Sequence, residues 1–243
     1  MKKLELNQNI HLSEGNIKSK ATDEVEFLTF SLRSKITCPY STAECRKRCF
    51  AQKNETFKGV RDSRDRNFAE TKKETFVKDM IDILEFQLQR KKMKGKKIFV
   101  RIHTSGDFYD VEYFRKWVEI SDYFKGNDKI LFQAYTKSMP IIYEWLYPAD
   151  SVEEYEWIND EPIIYAREEI KKINIHLVWS IWHDTKEEYT IFAKQIGLQT
   201  FTALPKEEIP LAVSNGTFEC LGDCGNCRQC YTGKSKTVVI PYH

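Results

Sequence analysis

Four cysteines stand within eleven residues near the end of the chain, and this run constrains the fold more than any other stretch. They are Cys220, Cys224, Cys227 and Cys230, separated by three, two and two residues. Consecutive strand or helix positions would point such side chains in different directions, whereas a loop wrapped around a metal lets them converge. Gly222 and Gly225 supply backbone freedom for that wrapping. The run therefore predicts a metal site.

The other three cysteines, Cys38, Cys45 and Cys49, form a second group in a chain that has seven cysteines in all. An odd number fits a disulfide framework poorly. The charged, polar N-terminus does not resemble a signal peptide, and no apolar run is long enough to span a membrane. We therefore expect a cytoplasmic protein without a membrane partner, whose reduced thiols are available for a metal.

Length and charge bound the function. The chain has 243 residues, of which 41% are hydrophobic, so it can bury a sizeable core. Its net charge of +2 argues against a dedicated duplex-binding protein. A local patch of six basic residues could still meet phosphates: Arg46, Lys47, Arg48, Arg61, Arg64 and Arg66. Asp62 and Asp65, interleaved with them, favour a solvated helix face instead.

Six short segments rich in apolar and β-branched residues predict strands, at 25–32, 98–103, 129–135, 175–181, 198–203 and 236–240. Helical spacing of apolar residues predicts helices between them, at 61–94, 111–124, 139–145, 165–172 and 186–196. This alternation is typical of a parallel sheet with helical crossovers. The fold class we expect is α/β: an open (β/α)6-type partial barrel with parallel strands and metal-binding loops at the C-terminal rim.

A single domain spanning residues 1–243 is expected, because the sequence shows no internal repeat, low-complexity stretch or linker. Within it, residues 1–24 form an N-terminal extension and residues 204–235 a cysteine-rich cluster loop. Residues 153–161, which are acidic and aromatic, are expected to form a loop or insertion.

Chemically active side chains follow the predicted strands in turn. Cys38, Cys45 and Cys49 follow the first strand, and the cysteine run follows the fifth; between them come Ser105, Gly106, Asp107, Thr136, Lys137, His183 and Asp184. Loops after parallel strands share one rim, where ligands bind, so we expect both cysteine groups on the same side of the sheet. The candidate catalytic residues are Asp107, Lys137 and His183. The candidate cofactor-binding residues are Ser105, Gly106, Asp107 and Thr136.

The two cysteine groups suit different centres. Four closely spaced thiolates can hold a [4Fe–4S] cluster or a tetrahedral zinc ion, and the absence of a long spacer between cysteine pairs favours iron–sulfur. Three thiolates on a [4Fe–4S] cluster leave one iron open to a substrate or cofactor. The alternatives for this trio are zinc with His103 or His243 as fourth ligand, or one cysteine that is simply a small buried residue.

Simpler interpretations stay open at the other candidate residues. The segment 105–107 could be a plain strand-to-helix turn, with Asp107 or Asp110 capping the helix that begins near Val111. His103 lies inside a predicted strand and is more simply a core histidine. Lys137 and His183 could equally be solvated loop residues.

Several stretches together resemble the phage gene-product-eighty-eight family, which occurs in phages and mobile elements: residues 37–51 with the first three cysteines, 100–108, 134–138 and the closing cysteine run. The resemblance covers the chain from about residue 25 onward. The organisation is also similar to that of radical S-adenosylmethionine enzymes, which place three cluster cysteines after the first barrel strand and a Gly-Gly-Glu-type motif after the second.

Ser105, Gly106 and Asp107 occupy the place of that second motif, with Asp where the motif has Glu. The resemblance implies that Asp107 or its neighbours hold the methionine amine. The usual Cys-x3-Cys-x2-Cys spacing differs from the gaps of six and three residues in this trio, and recurs at Cys220, Cys224 and Cys227.

Three hypotheses follow. The first is a radical S-adenosylmethionine-type enzyme with one or two [4Fe–4S] clusters, an electron donor as partner and an unidentified substrate; the trio cluster binds S-adenosylmethionine and the other cluster is auxiliary. The second is a non-radical nucleic-acid-processing or nucleic-acid-binding protein with structural zinc or iron–sulfur sites. The third is an accessory phage protein that binds a host partner and uses the metal only to fold.

Overall fold

A computed structural model describes residues 6–16, 18–148 and 161–242 of the chain. Its centre is an eight-stranded sheet with the spatial order β1-β2-β3-β4-β5-β6-β8-β7. The strands are β1 Leu12–Ser13, β2 Val25–Phe30, β3 Lys97–Ile102, β4 Ile130–Thr136, β5 Ile175–Ile181, β6 Gln199–Leu204, β7 Phe218–Glu219 and β8 Thr237–Pro241. Neighbouring strands are parallel, except that β1 is antiparallel to β2.

Helices occupy most connections between the strands. They are α1 Ala43–Lys47, α2 Phe50–Asn54, α3 Lys58–Thr71, α4 Phe76–Gln89, α5 Val111–Tyr123, α6 Met139–Leu146, α7 Glu161–Lys172, α8 Glu187–Gln195, α9 Ile209–Ser214, α10 Cys224–Cys227 and α11 Gln229–Thr232. The strand order follows the chain from β1 to β6, so each crossover advances the sheet by one strand.

One side of the sheet, the helix face, carries the main core. Alternate strand residues such as Leu28, Val100 and Phe132 are buried there with side chains from α4 to α8. Trp117 of α5, for example, has no exposed surface and packs its ring 5.4 Å from that of Phe30. Because strand side chains alternate between faces, the intervening residues must point to the opposite side.

That opposite side, the second face, is defined by Val25, Phe27, Phe99 and Leu131. Tyr231 of α11 packs on them, with its ring stacked 4.6 Å from that of Phe99. The C-terminal cysteine-rich segment therefore covers the second face, where the long crossover helices do not pack.

The expected α/β fold with an open, mostly parallel sheet is confirmed, and all six predicted strands are present. Within the described residues the sheet does not close into a barrel. Two strands were not predicted, β1 and β7, because two residues are too few to show alternation. They lie at the two edges of the sheet, where short strands leave little backbone unpaired.

The prediction of one helix over residues 61–94 is wrong. The chain forms α3 and α4 with a break at residues 72–75. The two helices bury different kinds of side chain: α3 buries polar groups such as Arg64 and Asn67, whereas α4 buries Phe76 and Met80. Helix formers fill both, so propensity alone did not reveal the break.

Elements also appear in the stretches expected to be an extension and a loop. Residues 12–13 form β1, while residues 204–235 include α9, β7, α10 and α11. The loop predicted at 153–161 lies outside the described residues except for Glu161, where α7 begins. His243, the alternative zinc ligand, also lies outside them.

Candidate functional site

The trio Cys38, Cys45 and Cys49 lies in the segment that follows β2. A tight turn forms before Cys38, where Lys35 has a φ of 61° and the Thr37 hydroxyl donates to the Arg33 carbonyl oxygen at 2.7 Å. Cys45 sits in the first turn of α1, whose N-cap Thr42 accepts a hydrogen bond from the Cys45 N–H at 3.2 Å. Cys49 is the N-cap position of α2. This folding back brings Cys45 into electrostatic contact with both other thiols.

The trio segment is fastened to the loop that follows β3. The Asp107 N–H donates to the Thr37 carbonyl oxygen at 3.0 Å, and the Leu32 N–H donates to the Ser105 carbonyl oxygen at 2.8 Å. Gly106, at φ +89°, lies so close that an added Cβ would be 2.7 Å from Leu32 Cβ and Thr37 Oγ1. The glycine thus allows two loops of the chain to approach each other.

Asp107 joins the ends of β3 and β4. Its Oδ1 accepts from the Thr136 hydroxyl and the Phe108 N–H, and its Oδ2 accepts from the Lys137 N–H, each at 2.8 Å. Burial raises the pKa of Asp107, while the Lys137 charge and these donors oppose the rise. Asp110, not Asp107, caps α5, since its Oδ1 accepts from the Tyr113 N–H at 2.7 Å. Asp107 is therefore a buried acceptor beside the trio.

The side chain of Lys137 places a positive charge beside the trio. Its ammonium group acts electrostatically on the thiols of both Cys45 and Cys38. Burial, together with the nearby Asp107 carboxylate, raises the pKa of the Cys38 thiol to about 12. Burial raises the pKa of Cys45 as well, against the effect of Lys137. Metal-free, these two cysteines are protonated at neutral pH, so metal binding here would release protons.

The loop after β5 reaches the same segment from the far side. Asp184 Oδ2 accepts from the Glu44 N–H at 2.9 Å, which ties this loop to the start of α1. His183 is exposed, and its Nδ1 lies 3.3 Å from the Tyr242 hydroxyl. The Tyr242 ring stacks on Trp182 at 5.5 Å. The sequence indicated both residues and favoured His183 as the catalytic candidate, but Asp184 makes the contact that brings the loop to the trio segment.

His103 and Ser105, which follow β3, are both buried. His103 Nε2 is hydrogen-bonded to the Tyr113 hydroxyl at 2.8 Å, and burial lowers the pKa of His103 to about 3. This matches the simpler interpretation of a core histidine. The Ser105 hydroxyl has no hydrogen-bond partner within the described residues. The backbone oxygen of Ser105 accepts the hydrogen bond from the Leu32 N–H, and this bond is what joins the two loops.

The C-terminal run lies across the second face and not beside the trio, although we expected both groups at one rim. Its backbone is tied to the N-terminal segment, because the Cys224 N–H donates to the Lys18 carbonyl oxygen at 2.8 Å. Gly225 packs against the same segment, where an added Cβ would lie 2.8 Å from the Lys20 oxygen. α11 contacts β4 and β5. The two cysteine groups thus lie in separate parts of the fold.

All four cysteines of the run line one small cavity of about 20 Å³, together with Tyr135 and Tyr231. This volume is close to that of a single water-sized sphere. As it stands, the cavity would hold one ion, and a four-iron cluster would require its walls to move outward. Burial raises the pKa of Cys230 to about 12 and also raises that of Cys224.

The donor set suits a soft metal, but the ligands are not fully assembled. None of the seven cysteines, all of which the structure describes, forms a disulfide. Within the described residues no three His, Cys, Asp or Glu side chains converge closely enough to form a ready-made metal site. Each group therefore holds its thiols near one another without assembling them into a site. A metal would have to draw the thiols of that group together.

Sequence reasoning missed Arg101 and Tyr135, which approach the C-terminal run from β3 and β4. Arg101 acts electrostatically on Cys224, and Tyr135 lines the cavity together with the four thiols. A signal was present: Arg101 interrupts the apolar strand Ile98-Phe-Val-Arg-Ile. A charged residue inside a buried strand needs a partner.

Comparisons with known proteins give a family and a distant relative. The chain is 28% identical over 221 residues to the Gene 88 protein of Mycobacterium phage L5, a match that covers 83% of this chain and 81% of that protein. No solved structure matches the chain significantly. In the part of the chain that the structure describes, no helix has the length and apolar character needed to cross a membrane. The model of the family described as Gene product 88 matches residues 3–233, and the chain therefore belongs to that family.

Proposed function

We propose that this chain is an iron–sulfur enzyme of the radical S-adenosylmethionine type. Cys38, Cys45 and Cys49 would hold a [4Fe–4S] cluster with one open iron, and the C-terminal run would hold a second metal centre. A cluster of this kind supplies one electron for the reductive cleavage of bound S-adenosylmethionine, which gives methionine and, after hydrogen-atom transfer from the substrate, 5′-deoxyadenosine. We also propose that the sheet corresponds to a partial barrel of six strand–helix units.

The observation that carries the proposal is the position of the trio. Its loop follows β2 and is fastened to the loops after β3 and β5, at the edge where parallel strands present ligands. Three thiols, the Asp107 carboxylate and the Lys137 ammonium group lie together there. Three thiolates are one ligand short for a four-iron cluster, which suits binding of a cofactor at the fourth iron.

Asp107 and Lys137 would act on the bound cofactor in different ways. The Asp107 carboxylate accepts three hydrogen bonds from the chain and keeps capacity for about one more, which a methionine ammonium group could supply. Lys137 would offset the negative charge of the thiolates. Asp107 would thereby position the cofactor, while its own geometry is held by Thr136 and Lys137.

The basic patch supports no nucleic-acid function. Three of its members are engaged within the chain: Arg46 donates to the Cys38 carbonyl oxygen at 3.2 Å, Arg48 pairs with Glu44 at 3.0 Å, and Arg64 pairs with Glu55 at 2.8 Å. We therefore advance the enzyme alone.

Anaerobic purification followed by metal analysis is the first test. Two clusters predict about eight irons per chain and absorption near about 400 nm, whereas one cluster with a single ion in the C-terminal run predicts about four irons. Cys45→Ser should remove the trio iron, and Cys224→Ser should leave it in place. A colourless protein with stoichiometric zinc and no iron would reject the proposal.

The second test is chemical. The reduced, reconstituted protein is incubated with S-adenosylmethionine, and 5′-deoxyadenosine and methionine are measured. We expect both products from the wild type, fewer from Asp107→Asn, and none from Cys45→Ser. Intact clusters that yield neither product would refute the radical chemistry while leaving iron–sulfur binding in place.

A further inference from the structure

Arg101 is a charged side chain that the described protein leaves without a counter-ion. It lies in β3 on the second face, and within the described residues no carboxylate approaches its guanidinium within 4.0 Å. Its Nε is buried and has no hydrogen-bond partner. The side chain as a whole is half-buried. Polar groups taken out of water are costly unless they are paired, so this site favours an anionic partner for Arg101.

The neighbours of Arg101 indicate what this partner is. Its Cζ lies 4.7 Å from the centroid of the Tyr135 ring, so the guanidinium is held over an aromatic face. Tyr135 lines the same small cavity as all four thiols of the run, and Arg101 acts electrostatically on Cys224. Two side chains from adjacent strands, Arg101 stacked on Tyr135 and Tyr135 at the cavity wall, thus lie beside the four thiols.

The packing around the cavity fixes this arrangement. Tyr231, next to Cys230, stacks on Phe99 and meets Phe27 edge-on at 5.8 Å. Arg228 anchors the run to the N-terminal segment by pairing with Glu24 at 2.7 Å. Arg228 therefore has its own carboxylate, whereas Arg101, which is stacked on Tyr135, has none within the described residues.

We propose that Arg101 and Tyr135 form the built-in counter-charge and hydrogen-bond donor of an anionic four-thiolate metal centre at Cys220, Cys224, Cys227 and Cys230. This inference rests on the proposed function in one respect, that the C-terminal run binds metal. It holds for one divalent ion and for a [4Fe–4S]²⁺ cluster alike, since either centre with four thiolates has a net charge of −2. Arg101 and Tyr135 are positioning residues and not ligands.

A sign difference separates this role from ordinary packing. In the metal-free protein no carboxylate of the described residues pairs with Arg101, so removal of its charge should cost little or stabilise. In the metal-loaded protein the same charge faces a dianion, and its removal should weaken metal binding. A purely structural arginine would affect both forms in the same direction.

The test uses cobalt(II) alone, added anaerobically to the reduced, metal-free full chain. Tetrahedral thiolate coordination gives sulfur-to-cobalt charge-transfer absorption, and the part lost in Cys224→Ser reports the C-terminal run. Dissociation constants come from chelator competition for wild type, Arg101→Gln, Arg101→Lys, Tyr135→Phe and the control Arg115→Gln. Arg115 is a partly exposed arginine on α5 paired with Glu112, so its replacement changes the net charge equally.

We expect Arg101→Gln to weaken cobalt binding at the run by about tenfold or more, Arg101→Lys and Tyr135→Phe by about a fewfold, and Arg115→Gln not at all. Thermal unfolding of metal-free Arg101→Gln should occur at or above the wild-type temperature, and its stabilisation by cobalt should be smaller.

Two outcomes overturn the inference, and they differ from failure of the proposed function. If wild type shows the run-dependent signal and Arg101→Gln binds cobalt equally tightly, the counter-charge role is wrong and the metal site stands. If metal-free Arg101→Gln unfolds far earlier or fails to fold, Arg101 is structural. If the wild type itself shows no cobalt signal that depends on Cys224, the metal site at the run fails and the inference falls with it.

Discussion

The backbone N–H of Asp107 donates a hydrogen bond of 3.0 Å to the carbonyl oxygen of Thr37, the residue before Cys38. This contact joins the loop after β3 to the loop that carries the first cysteine. The carboxylate of the same aspartate holds the end of β4 through Thr136 and Lys137. One residue therefore sets the relative position of three strand ends at the candidate site.

Asp107→Asn should lower the free energy of unfolding by about 1–3 kcal/mol. The amide NH2 of asparagine would then face an N–H group that now donates a hydrogen bond to a carboxylate oxygen. Urea unfolding followed by circular dichroism measures the change. Asp110→Asn is the matched control: asparagine is as good an N-cap as aspartate, so a change within about 0.5 kcal/mol is expected. Equal losses of unfolding free energy in both variants would show that the hydrogen bonds of Asp107 contribute no more than the capping bond of Asp110.

Gly106→Ala should destabilise the protein more than Gly126→Ala. Both glycines have positive φ, +89° and +86°, so alanine is strained by about 1 kcal/mol at either position. Only at Gly106 does the added Cβ meet neighbours, and the clash should cost about 1–3 kcal/mol more. Equal unfolding free energies for the two variants would contradict the close approach of the two loops.

Acid should destabilise the fold through His103. Burial lowers the pKa of His103 from 6.5 to about 3, so the folded state favours the neutral ring while the unfolded state takes up a proton. The stability that this difference in pKa contributes is therefore fully present above pH 6.5. It is lost as the pH falls from 6.5 towards 3, at up to about 1.4 kcal/mol per pH unit.

The measurement is the unfolding free energy between pH 7 and pH 4 for wild type and His103→Asn. Asparagine tolerates the φ of 68° at this position. The variant should be less stable at pH 7 and should show a shallower loss on acidification. Parallel pH profiles would mean that His103 does not titrate in this way.

Gln133 and Gln199 form a matched pair of buried glutamines on the second face. Gln133 has no exposed surface and neither amide atom has a partner within the described residues, whereas Gln199 is hydrogen-bonded to His176 and to the Ser235 carbonyl oxygen. Gln133→Leu should thus be neutral or stabilising, and Gln199→Leu should cost about 1–3 kcal/mol. A clear loss from Gln133→Leu would reveal a bound water or ligand that satisfies the amide.

Much of the fold could be predicted from the sequence, because each strand and helix carries its own pattern. The strand at 98–103 and the helix beginning at Val111 could be recognised from local apolar spacing, and their bounds agree with β3 and α5 within about two residues. The two-residue strands β1 and β7 could not, since pairing with a neighbouring strand alone defines them. The break between α3 and α4 also depends on what each helix packs against.

The candidate site divides in the same way. Sequence alone established that seven thiols occur in two groups and that the segments 105–107 and 136–137 lie at strand ends, because covalent order and local pattern suffice for that. Tertiary structure decided which groups meet: Asp107 and Lys137 lie beside the trio, and Arg101 and Tyr135 approach the C-terminal run, which lies across the second face. These contacts join residues far apart in the chain, and only the order and direction of the strands in the sheet bring them together.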